Sequence, residues 1–108
     1  MRLAILHTVP MPVFTVMSQR PNPELWAAIE ARHAGKFMHW SDRVSFIEAS
    51  GTAQAVAEGL GVKSKRADGT VVGTIGETVV LQAAPAYWGW TSSAFWTWLT
   101  SAFQRSSS

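Results

Sequence analysis

The sequence predicts one α/β domain, a four-stranded antiparallel sheet with two helices on one face, followed by a C-terminal helix. Three observations predict it. Short β-branched or aromatic runs alternate with stretches of helical periodicity in the order strand, helix, strand, strand, helix, strand, helix. Residues that favour helix caps stand before each helical stretch. The chain has 108 residues with no internal repeat and no linker, which is the length of a single domain.

The first strand is Val13–Gln19 (VFTVMSQ), a buried-type run that follows Pro12. Asn22 is a good N-cap, Pro23 suits the first helical position, and Glu24 sits well in the first turn. The helix they open runs to about His33, with Leu25, Ala28 and Ile29 on one face and Gly35 as its stop. Lys36–Trp40 and Arg43–Ser50 then read as a hairpin around a two-residue Ser41-Asp42 connection. Thr52 or Ser50 caps a second helix over Ala53–Leu60, which Gly61 ends. Val62–Gly76 reads as a long basic loop with an Asp68-Gly69 turn and a brief extended piece at Val71-Val72. Thr78–Ala84 is the last strand, ended by Pro85. After an aromatic connection (Ala86–Trp90), Thr91 or Ser92 caps a third helix over Ser93–Gln104. Its stripe of Phe95, Trp98, Leu99, Ala102 and Phe103 faces hydroxyl side chains rather than Lys and Arg, so it suits docking on protein more than on a membrane. The order is that of the ferredoxin-like β-α-β-β-α-β sandwich, plus the added helix. Its second sheet face must be wet, covered by that helix, or paired with a second copy.

Composition narrows the function. The chain is 47% hydrophobic and 15% charged, too apolar for a disordered segment. No cysteine is present, which removes disulfides, thiolate metal sites and a cysteine nucleophile. The net charge of +2 permits an anionic partner without requiring one. No apolar run reaches the length of a membrane span. Met1–Val9 lacks a cleavage site and is broken by His7, Pro10 and Pro12, so residues 1–12 are expected to be an N-terminal arm rather than a secretory signal, with Met11 an alternative start. Residues 13–104 form the domain, and residues 105–108 are expected to be a disordered tail. A cytoplasmic protein is expected.

The run Lys36 to Ser50, the helix TAQAVAEGL, the strand VVLQ and the ending YWGW…FWTWL resemble small bacterial proteins of the SinR-like kind. The resemblance covers roughly Val13 to Phe103 and rests on pattern and aromatic placement. It implies the ferredoxin-like fold shared with the small CRISPR-adaptation subunit and GhoS-type antitoxin ribonucleases. It also implies a homodimer built through the sheets and, in some members, metal-dependent RNA or DNA cleavage. The cleaving relatives carry an Asp at the end of the first strand; this chain has Ser18 there, followed by Gln19. A neutral hydroxyl does not supply the charge that a hard divalent cation needs.

No catalytic motif stands out. Glu24 and Glu30 suit a helix surface, and Asp68 suits a turn. Asp42 and Glu48 are the carboxylates left to replace the missing strand-end Asp, and neither has acid/base spacing to a partner. His7, His33 and His39 share no metal-ligand spacing, so no metal and no cofactor are expected. His39 reads as a packed histidine, and His33 as one favoured by the helix C-terminus. Ser18 and Ser41 lack a nucleophile elbow. Lys63, Lys65 and Arg66 form the densest basic cluster, with Arg20 and Arg43 as additions; they suit nucleic-acid phosphates or simply a solvated loop. Phe37, Trp40, Tyr87, Trp88 and Trp90 suit base stacking, a core, or a dimer seam. The leading expectation is a non-catalytic, homodimeric binding or regulatory module, its protein partner unidentified and no membrane involved. The alternatives are a divalent-metal endoribonuclease and an RNA- or DNA-binding protein without cleavage.

Overall fold

The computed structural model describes residues 11–106; the expectations for residues 1–10 and 107–108 lie outside them. Four strands, β1 (Val13–Ser18), β2 (Phe37–His39), β3 (Val44–Glu48) and β6 (Thr78–Gln82), form an antiparallel sheet in the order β2-β3-β1-β6. β4 (Ser64–Lys65) and β5 (Val71–Val72) pair as a separate two-stranded sheet. The helices are α1 (Pro23–Arg32), α2 (Ala53–Gly59) and α3 (Ser93–Ser106). None of them is long and apolar enough to cross a membrane.

Local chemistry explains the helix starts. The Asn22 side chain accepts from the Leu25 amide (3.1 Å) with Pro23 just inside the helix. Thr52 accepts from the Ala55 amide (3.1 Å), and Ser92 from the Phe95 amide (3.3 Å). Of the paired options in the sequence, Thr52 and Ser92 are the caps.

Strand alternation divides the core into two layers. Phe14 and Val16 of β1, with Ile47 of β3, meet Leu25 and Ile29 of α1 and Val56 of α2. Val13, Met38 and Phe46 point to the other face, where Phe95, Leu99, Ala102 and Phe103 of α3 cover them. Burial of the three large α3 side chains stabilises its docking by roughly 5–9 kcal/mol, an upper bound on area grounds. α3 covers only part of that face: Met17, Val79 and Leu81 stay substantially exposed beside it.

Three local expectations need correction. The hairpin pairs Phe37 with Ile47 and His39 with Ser45, and the Trp40 amide donates to the Val44 carbonyl (2.9 Å), so the turn inside that bond is Ser41–Arg43, three residues rather than two. Ser41 sets that length, because its Oγ accepts from the amides of Arg43 (3.1 Å) and Val44 (3.0 Å). The loop expected over Val62–Gly76 holds the β4–β5 hairpin; Ser64-Lys65 is too short and polar to show a period. Its return depends on Gly73, at φ +78°, where a Cβ would lie 2.5 Å from the Val62 carbonyl oxygen. Finally, α3 extends through Ser106, and Arg105 is anchored where a tail was expected, because its Nε donates to buried Glu48 (2.7 Å).

Candidate functional site

The tyrosine and tryptophans after β6 do not fill a core. Trp88 and Trp90 are 101% and 99% exposed. With Trp40, at the end of the hairpin, and Tyr87 they rim an open groove of about 350 Å³. Phe46, Phe95 and Leu99 form part of its lining, and no charged side chain contributes. Specific contacts hold the rim. Trp40 Nε1–H donates to Thr91 Oγ1 (3.1 Å), fixing the β2 end of the hairpin to the start of α3. Tyr87 stacks between Trp96 and Phe103, with centroids 5.7 and 5.5 Å away, and its hydroxyl lies 3.3 Å from Thr100 Oγ1. Trp96 and Thr91 were not singled out from the sequence as groove residues. Helical phase sets Trp96, one residue after buried Phe95, at the edge of the stripe that faces the sheet, which is where a groove-lining ring belongs.

Phe37 does not join this group. It faces α1 and α2, packs against that core layer, and lies 4.7 Å from the His39 ring. Phe37 in β2 and Trp40 just after it therefore lie on opposite sides of the sheet, as their odd spacing along extended chain favours.

The basic residues are not brought together with the aromatics. Lys63, Lys65 and Arg66 border a separate groove of about 470 Å³ beside α2 and β6, on the face opposite α3. Arg66 pairs with Glu58 (3.0 Å), Arg20 with Glu77 (2.9 Å) and Arg43 with Asp42 (4.0 Å). Hydrogen bonds from Gln54 and then Arg66 hold the Glu58 carboxyl below its ordinary pKa. The Thr70 amide does the same for Asp68 in its turn.

Glu48 ends β3, whereas Asp42 stands in the turn before it, with the whole strand between them. Asp42 is an exposed turn residue, whereas Glu48 is 2% exposed and held by Arg105. Among the described residues no three His, Cys, Asp or Glu side chains gather as metal ligands would. Ser18 donates to the Arg20 carbonyl (2.7 Å).

One polar chain was not legible from spacing. His39 Nε2 lies 3.0 Å from Glu30 Oε2, and its Nδ1 lies 2.8 Å from Ser45 Oγ. Trp26 stacks on the same ring (5.2 Å, 14°). The order acid, histidine, serine matches a hydrolase triad, yet Ser45 is 0% exposed and reaches no substrate. The chain ties α1 to β2 and β3, and His39 is a packed, hydrogen-bonded histidine. His33 closes α1 as its C-cap, and burial first, then the neighbouring Arg32 charge, lower its pKa from 6.5. Those effects override the favourable helix end. Comparison with protein-family models, curated proteins and solved structures found no match.

Proposed function

We propose that the protein is a non-catalytic binding module that acts as a homodimer, with the aromatic groove as its seam. The observation that carries this reading is the full exposure of Trp88 and Trp90 at the mouth of a groove without charge. Isolated exposed apolar residues are ordinary, but four aromatic rings around one groove mark an interaction surface. Covering them removes roughly 450–750 Å² per protomer, close to one side of a standard interface. A second copy offers the same protruding indoles to the same groove, which is what a two-fold interface requires. We also infer that the domain is ferredoxin-like. The sheet order, with α1 and α2 packed against one face, supports this, as does the resemblance to SinR-like proteins.

Light scattering at micromolar concentration tests the dimer. The expected outcome is twice the chain mass, with a Trp88→Ala, Trp90→Ala variant associating at least about tenfold more weakly while keeping the far-ultraviolet circular dichroism of the folded chain. A monomeric wild type, or a variant that dimerises as well as the wild type, overturns the reading.

A further inference from the structure

The outer edge of β6 lies apart from the aromatic groove and is the longer of the sheet's two edges. The Ala83 amide donates to Val13 (2.7 Å), and the Gln19 amide to Glu77 (3.1 Å). In an antiparallel ladder these bonds fix the phase: Val79 and Leu81 turn their backbone groups toward β1. Thr78, Val80 and Gln82 therefore turn theirs outward, and no strand among the described residues takes them. Sheet edges are normally guarded by charge, proline, a bulge or shortness. The other edge strand, β2, has only three residues and follows Lys36. Thr78–Gln82 has five, with no charge and no proline.

The surroundings of this edge differ on its two sides. Thr78 and Val80 line the 470 Å³ groove together with Lys63, Lys65 and Arg66. Arg66 has its partner in Glu58, but Lys63 and Lys65 form no ion pair among the described residues. Across the strand, Val79 and Leu81 are 51% and 49% exposed. An incoming strand presents alternate side chains to these two sides. We propose that the β6 edge takes, by strand addition, an extended peptide in which acidic and apolar residues alternate. Its main chain pairs with Thr78, Val80 and Gln82. Its carboxylates face Lys63 and Lys65, and its apolar side chains cover Val79 and Leu81. A nucleic acid fits less well: outward carbonyls would oppose phosphate oxygens, and the exposed tryptophans lie on the other face.

The test is fluorescence anisotropy with a labelled seven-residue peptide of alternating valine and glutamate, at low salt. The expected result is saturable binding that weakens about tenfold with the Lys63→Glu, Lys65→Glu variant. A peptide of the same charge, N-methylated at alternate residues to remove its pairing amides, should lose about as much. Both lysines are exposed, and the methylated peptide leaves the protein untouched, so misfolding cannot mimic the result. Absence of binding overturns the proposal. So does equal binding of the methylated peptide, equal binding by the variant, or displacement of the peptide by a single-stranded RNA of equal length.

Discussion

Glu48 shows how a residue that reads as chemistry becomes structure. Its carboxylate is buried against α3, and Arg105 reaches it from the last turn of that helix. Losing the arginine leaves a desolvated acid in a covered layer, whereas Asp42 loses only a loose surface contact. Arg105→Ala is expected to destabilise the fold by about 2 kcal/mol in urea unfolding, and Asp42→Ala by less than about 0.5 kcal/mol. His33 gives a pH dependence. Its folded pKa lies below the 6.5 of the unfolded chain, so the unfolded state binds more protons as pH falls. The stability it contributes is complete above 6.5 and declines as pH drops through that value toward the folded pKa. His33→Gln should flatten this part of the stability profile, measured by urea midpoints from pH 7.5 to 5; an unchanged slope contradicts the assignment. The sequence showed both residues as titratable, but not Glu48 as buried or His33 as half-buried, because those surroundings come from α3 and α2, which follow them in the chain.

At the scale of elements, strong local signals were legible. Asn22-Pro23, Thr52 and the stripe Phe95–Leu99–Phe103 each carry their own physical reason, and α1, α2 and α3 begin where those residues place them. The hairpin turn and the β4–β5 pair were less legible. The first depends on one serine hydroxyl, the second on two-residue strands that have no period. Glycines separate the two kinds of constraint in that second hairpin. Gly69 has φ +90° and open space where a Cβ would stand, while Gly73 has φ +78° and the Val62 carbonyl there. Gly69→Ala should cost about 1 kcal/mol from backbone strain alone. Gly73→Ala should cost clearly more in the same thermal or urea assay, because the chain must also move apart at Val62 and Ile75, its bridged pair.

At the scale of the molecule, the sheet acts as a partition. One face is closed by α1 and α2, and beside it lie the cations; the other carries α3, the groove and the exposed tryptophans. The sequence supplied both sets of residues but not their separation, which follows from the packing of the β4–β5 pair on the α2 side of the sheet and of α3 on the other. That separation also divides the two assays: Trp88 and Trp90 variants should leave peptide binding at the β6 edge intact, and lysine variants should leave chain association intact. The central position of β1 has a further consequence, for synthesis. It is the earliest described strand to leave the ribosome, yet its neighbour β6 follows more than half the chain later. Until then Val13–Ser18 is itself a bare apolar border on a half-built sheet, open to any passing strand. A translation stall before Thr78 therefore yields a sticky fragment rather than a smaller folded protein.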